Sequence, residues 1–594
     1  MTTEETYSAV RRGETGVRFC PAGTTKGLPF DCEVALLSDE QWSKILLPGH
    51  TRFYSLALAS IKEALSHTDI PVDSPRTILI LSTTKAEVEL LDEGHDTMPA
   101  PGDTARAIAR ELGLTTEPVV VCNACISGVA AQVLALRLLN SGNYDHAIVC
   151  GCDVQSRFII SGFQSLKALS PEPCRPFDME RLGLNLGEAA ATMVFASENA
   201  AAGNDSTATA NVGATAWHVV SGAVRNDAYH ISGPHPKGLG AQMALEETLG
   251  SVNPDDIAVI GVHGTATMYN DQMESKAIEQ AGLSSTPLSA LKGYFGHTMG
   301  AAGVLETIIT ARALDDGIII ASKGFEERGV SGKVTISGEE LHTDKHCFVK
   351  MLSGFGGCNG AIMLACGEEA KTLRKDETAG MAHTESITIA DETQAEPVKT
   401  TVKIKSSGEV SVNGKLIETD LTGKELLTYI YKEHVGNYPK FYKMDILSRL
   451  AFLAVELLKQ ADATSSGANA SNEADAASKG AGSEADASAA VVLFNRSSSI
   501  VADKQYEASI CEAENFFPSP AAFVYTLPNI TTGEIAIRHG IHGETSFYIL
   551  PDCNELLMQQ ITKATMHADR ATHRLITGWI NADSEADFEV SIAG

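Results

Sequence analysis

In the stretch VVVCNACISGVAAQVLALRLLNSG, residues 119–142, a β-branched run meets a cysteine and passes straight into a helical pattern. A thiol at such a junction faces the free N–H groups and positive dipole end of a helix, which favour its anion. The position therefore predicts Cys125 as a nucleophile whose pKa lies below the ordinary value of about 8.5. Ser127, Gly128, Ala130 and Ala131 follow it; their small side chains predict close helix packing and leave room for a bulky substrate chain. Cys122 completes a C-x-x-C spacing, which also suits a redox dithiol or half a zinc site. There is only one such pair and no His-rich segment near it, so no metal site is expected and Cys122, inside the strand, reads as core.

A nucleophilic cysteine needs partners, and three segments offer them. His263 leaves the end of the apolar strand IAVIGV in VHGTATMYNDQMES (262–275). Lys292 and His297 precede a small-residue helix start in LKGYFGHTMGAAGVLE (291–306). The glycine-rich turn of MLSGFGGCNGAIML (351–364) can aim backbone N–H groups at an oxyanion. A lone histidine is ordinarily a packing or surface residue. His297, between Gly296 and Thr298 and ahead of Gly300-Ala301-Ala302-Gly303, is harder to set aside, because such a helix start accommodates close approach of backbone or ligand.

The elements that must position these residues alternate strand-like runs (TILILST at 77, AIVCGC at 147, IAVIGVHG at 257, FVKMLSGFGG at 348) with helical stretches, the pattern of an α/β fold. The 594 residues exceed one core, and residues 1–368 read as the first domain. Residues 369–400 are polar and charged, a linker; residues 401–594 form a second domain that opens with a meander, TVKIKSSGEVSVNGKLIETDL. Residues 461–490, almost all small or acidic, read as a solvated insertion within it. The chain also repeats itself. SLALASIKEA (55–64) precedes TILILST as RLAFLAVELL (449–458) precedes VVLFNRS, and a cysteine follows each strand, Cys125 and Cys553. Only 41 residues follow Cys553, so the second copy reads as half a domain.

The net charge of −29 disfavours nucleic acid and anionic lipid surfaces. No apolar run approaches a membrane span and the first residues lack a signal-peptide core, so the expectation is a cytoplasmic protein with reduced cysteines.

Together, NACISG around Cys125, CRPFDMERLGLNLGEAA (174–190), VRNDAYHISGPHPKG (224–238), HGTATMYND, LKGYFGHTMGAAGVLE and GFGGCNG resemble the β-ketoacyl-acyl carrier protein synthases, in that family's order. The resemblance implies a thiolase-like layered αβαβα fold, followed by an incomplete second thiolase-like half-domain. It implies a decarboxylative Claisen condensation between an acyl thioester on Cys125 and a malonyl-type extender on acyl carrier protein, in fatty acid, polyketide or aryl polyene synthesis. His263 and His297 would promote decarboxylation, with Lys292 paired to Glu306. The N–H groups of Cys125 and Phe355 would form the oxyanion hole, the Phe355 ring a gate, and Thr265 and Thr267 would bind pantetheine. No cofactor of the chain's own is implied, since phosphopantetheine comes on a separate carrier. A homodimer, or a heterodimer with another ketosynthase-like protein, is implied through the strand beside the nucleophile, unless the extra half-domain takes that place. Two rivals are a non-catalytic, chain-length-factor-like or scaffolding partner, and a redox module on Cys122 and Cys125.

Three departures stand out. The family's strand and glycine-rich turn before the helix at MTTEETYSAVRRGE are absent, so either translation starts late or another segment, conceivably the meander at 401, fills the sheet position. Ser353 and Cys358 stand where phenylalanine and threonine are common, implying a wider pocket or altered gating. No histidine segments follow Cys553, which implies a non-catalytic C-terminal half.

Overall fold

The computed structural model describes residues 2–23, 29–203, 216–367, 369–370, 372–373, 399–465, 487–511, 518–569 and 572–594. Most of the expected linker (369–400) and insertion (461–490) lies outside them. Within the described part, residues 461–465 continue the helix Ile446–Ser465.

Two sheets carry the architecture. In the six-stranded sheet, Pro287–Ser289, Val259–Gly261 and Cys347–Gly354 run parallel, Cys358–Cys366 turns back antiparallel, and Trp217–Asn226 pairs antiparallel beyond it. The same order and directions recur in the C-terminal part: Thr545–Ile549, Ala490–Asn495 and Leu575–Ser584 parallel, Asp587–Ala593 antiparallel, and Thr401–Lys405 beyond it. They recur once more in Val119–Val121, Thr77–Ser82, His146–Asp153 and Ala189–Ala196, which lack the fifth strand among the described residues. The central strands are buried on both faces, as runs such as TILILS and VVV demand when helices cover both sides of a parallel sheet.

The meander at 401 does not fill the vacant place. It pairs with Asp587–Ala593 as the far end of the C-terminal layer, because its alternating exposed and buried residues suit that layer's own fifth position. The edge beside Ala189–Ala196 is unpaired among the described residues, and that strand is mostly half-buried.

The N-terminal layer (Thr77–Ser82 and its neighbours) and the C-terminal layer join into one eleven-stranded sheet through a short antiparallel pairing, Val121 opposite Tyr548 and Val120 opposite Ile549. The strand that leads to Cys125 is thus paired by the same chain's C-terminal half, the internal alternative to a second subunit at this edge. Two hydrophobic clusters draw on both halves: one holds Leu79 and Val120 with Leu450 and Phe547, the other Ile78 and Val129 with Val492 and Tyr548. Among the described residues, no helix is long and apolar enough to cross a membrane.

Candidate active site

Strand Val119–Val121 ends in a short 3-10 turn, Ala124–Ile126, that leads into helix Ser127–Asn140. Ala124 has φ 49°, a left-handed conformation that a residue with a Cβ adopts only at some cost, and it turns Cys125 out of the strand line. The helix presses against a second one, Ala302–Asp315, where each is glycine: a Cβ on Gly303 would lie 2.4 Å from the Val129 nitrogen, and one on Gly128 would lie 2.9 Å from Gly303. At Gly128 the close packing expected from small residues is present. The room expected for a substrate chain there is not, because the second helix fills it.

Cys125, His263 and His297 converge although they come from distant parts of the sequence. His297 Nε2 lies 3.0 Å from Cys125 Sγ. The two imidazole centroids are 5.1 Å apart at 81°. Among the described residues this is the one group of three His, Cys, Asp or Glu side chains close enough to hold a metal ion, their nearest ligand atoms all within 4.8 Å of one another. The Met299 N–H donates to His297 Nδ1 at 3.3 Å, so a neutral His297 carries its proton on Nε2, facing the sulfur. Burial holds both histidines well below their ordinary pKa; nearby Lys292 and Lys350 add to this, and so does His297 in the case of His263. Both rings are neutral, and the buried His263 Nδ1 has no hydrogen-bond partner among the described residues.

The expectation of an acidic thiol fails. Burial pushes the Cys125 thiol up to about 12, outweighing Lys292, which favours the thiolate. The helix-start argument counted the dipole and left out desolvation, which dominates for a residue only 8% exposed. Cys122 also rises to about 12 by burial, and its thiol donates to the Thr84 carbonyl at 3.4 Å, while the Cys125 sulfur meets His297. Both cysteines are free thiols.

Behind the histidines, Lys292 Nζ is 2.9 Å from Glu306 Oε1, the pairing that the resemblance implied. Lys350, which sequence reasoning passed over, reaches the other carboxylate oxygen at 2.5 Å and also donates to the Val262 carbonyl at 2.8 Å. Its strand position inside FVKMLSG, with apolar neighbours on both sides, was the available signal: a charged residue in a fully buried strand requires a partner. Burial alone would raise Glu306, but the two ammonium groups hold it below the ordinary carboxylate range. Glu274, another residue not foreseen, accepts the backbone N–H groups of His263 (2.6 Å) and Gly264 (2.8 Å).

The Thr265 and Thr267 hydroxyls lie 2.9 Å apart, at the start of helix Met268–Gln280. The glycine-rich turn abuts the nucleophile: a Cβ on Gly354 would be 3.2 Å from the Cys125 nitrogen. Its Phe355 carbonyl accepts from Asn529 Nδ2 at 2.8 Å, a grip from the C-terminal half. A small cavity of about 20 Å³ opens beside the sulfur, lined by Cys125, Phe163 and Phe355 and, from the C-terminal half, Phe523 and Leu527. Ser353 and Cys358 are not in its lining; Ser353 bonds Asn359 at 2.7 Å, so the widening expected there does not arise from these two positions. Lys85 closes one side of the cavity, ion-paired with Asp503 at 2.6 Å across the two halves. Cys553 is exposed, just ahead of helix Glu555–Ala568, and lies outside the Cys125–His263–His297 group.

Residues 50–201 match the family "Beta-ketoacyl synthase, N-terminal domain" and residues 217–326 match "Beta-ketoacyl synthase, C-terminal domain". Nodulation protein E of Rhizobium leguminosarum bv. trifolii is 30% identical over 256 residues, covering 42% of this chain and 61% of that protein. The chain thus spans about three fifths of that relative. A 3-oxoacyl-[acyl-carrier-protein] synthase 2 of Vibrio cholerae is 27% identical over 61% of this chain and 94% of its own length. A solved structure described as "PfaC Keto synthase-Chain length factor" aligns with 100% of this chain and 76% of its own, at 14% identity and a TM-score of 0.67, a likeness of fold that includes the C-terminal half.

Proposed function

We propose that the chain, whose residues 50–201 and 217–326 match the β-ketoacyl synthase N- and C-terminal domains, condenses an acyl thioester with a malonyl-type thioester on acyl carrier protein, with loss of carbon dioxide. The observation that carries the proposal is the convergence of two neutral imidazoles on a buried cysteine sulfur, His297 at 3.0 Å, beside a cavity.

In the first half-reaction the Cys125 sulfur attacks the acyl thioester carbonyl; the new C–S bond replaces the old one, and the thiol proton leaves with the pantetheine sulfur. The N–H groups of Cys125 and Phe355 face the carbonyl oxygen as charge develops on it. The acyl chain enters past Phe355 between Phe163 and Phe523, and these side chains part to enlarge the small cavity that they line. In the second, the extender loses carbon dioxide, and the electron pair left behind delocalises onto its thioester oxygen, to which the Nε2–H groups of His263 and His297 donate. The resulting carbon nucleophile attacks the Cys125 thioester, a C–C bond forms, and the cysteine sulfur is released and takes up a proton. In a dry site one such donor is worth about 3 kcal/mol of transition-state stabilisation. Thr265 and Thr267 bind the pantetheine arm, phosphopantetheine arriving on the separate carrier. The Lys292–Glu306 pair holds the local field.

The C-terminal half serves as a non-catalytic, chain-length-factor-like partner built into the same chain. It pairs with the nucleophile's strand, holds the Phe355 turn through Asn529 and walls the cavity with Phe523 and Leu527.

The test is His297→Ala assayed with a malonyl-loaded carrier. Cooperative unfolding should persist while decarboxylation and condensation fall about 100-fold or more, the scale of losing one such donor. Unchanged rates would refute the assignment.

A further inference from the structure

The two histidines must be held in register although one ends a strand and the other precedes a helix. Lys350 is the residue that touches the supports of both. It leaves the strand Cys347–Gly354 fully buried, donating to Glu306 Oε2 at 2.5 Å and to the carbonyl of Val262, the residue next to His263, at 2.8 Å. The same Glu306 takes Lys292 on its other oxygen, and Lys292 lies five residues before His297 on a short connecting turn. Glu274 grips the His263 N–H from the opposite side of the peptide. One buried carboxylate thus faces two buried ammonium groups, an arrangement that a structural ion pair alone does not require.

We propose that Lys350 is a positioning residue for the condensation: by holding Glu306 and the Val262 carbonyl together it ties the Lys292–Glu306 pair to the strand end that carries His263, and it adds a second positive charge beneath the two imidazoles. This inference rests on the function proposed above for the same site.

The charged and titratable groups around Lys350 are Glu306 and Lys292, Glu274 from helix Met268–Gln280, and the two histidines. Lys350, buried as it is, is itself held at about 8. As a cation it opposes protonation of His263 and His297. Removing it therefore lets both rings protonate at a higher pH than in the unaltered protein, and the acid side of the activity profile moves up in pH.

The experiment compares the full-length chain with Lys350→Met and Lys350→Gln, reading the imidazole titrations by NMR with ring-labelled histidine and turnover with acyl and malonyl carrier thioesters. The expected result is that His263 and His297 titrate at higher pH in both variants. Turnover should fall about 100-fold, the cost of misplacing a catalytic group by about 1 Å, with KM for the acyl donor changed less than twofold. If Lys350→Met does not fold, Lys350→Gln, which keeps a donor to Glu306 and Val262, carries the same prediction with a smaller turnover loss. Unmoved imidazole titrations in a folded variant, or turnover within twofold of the unaltered protein, overturn the inference. Titrations that move in a protein that never condenses would support the placement of charge and refute the condensation reading instead.

Discussion

At the scale of single residues, the competition at Cys125 is between desolvation and stabilising charge, and desolvation wins: the thiol rests protonated, pushed up to about 12. Its reactivity in the free protein should follow the thiolate fraction. Alkylation of Cys125 by iodoacetamide, followed by peptide mass spectrometry, should therefore rise about tenfold per pH unit from pH 7 to 10 without a plateau. A plateau beginning near pH 7 would mean a stabilised thiolate and contradict the buried neutral site. His297 presents its Nε2–H to the sulfur, fixed by the Met299 N–H.

At the scale of elements, the site depends on two helices meeting backbone to backbone. Gly303→Ala places a methyl group 2.4 Å from the Val129 nitrogen, which cannot move without disturbing the helix start at Ser127. It should cost about 1–3 kcal/mol, read from denaturant unfolding, and should depress turnover as well; wild-type stability would show that the helices can slide apart. This level also shows what the sequence carries. Cys125, His263, His297 and Lys292 were legible because each sits in a local motif at an element boundary, and Glu306 because it continues the motif of His297 into the helix Ala302–Asp315. Lys350 and Glu274 were not, because their partners lie 44 and 11 residues away and nothing in FVKMLSG says which carboxylate awaits the lysine. The α/β order was legible from period and run length. The position of the meander was not, since its alternation fits any half-exposed outer strand and only tertiary pairing selects one.

At the scale of the whole molecule, the strand layer repeated in the C-terminal half pairs edge to edge with the layer that leads to Cys125. The halves are bound by the pairing of Val119–Val121 with Thr545–Ile549 and by buried ion pairs across the joint, Arg137 with Glu544 at 2.6 Å and Lys85 with Asp503 at 2.6 Å. Lys85→Met alone strands Asp503 as a buried charge and should cost about 3–5 kcal/mol, whereas Lys85→Met with Asp503→Leu should recover most of that loss. A double-mutant cycle in urea checks this; equal destabilisation by the single and double changes would mean that the pair does not join the halves. Because Phe523 and Leu527 line the same cavity as Cys125, damage at this joint should also change which acyl chains are accepted.

The central claim is that Cys125 carries the acyl chain. Incubation of the full chain with an acyl-carrier thioester, followed by protease digestion and mass mapping, tests it most directly. The account predicts one acyl adduct on the Cys125 peptide, absent in Cys125→Ser and retained in Cys553→Ser; an unloaded Cys125, or an adduct on Cys553, would contradict it.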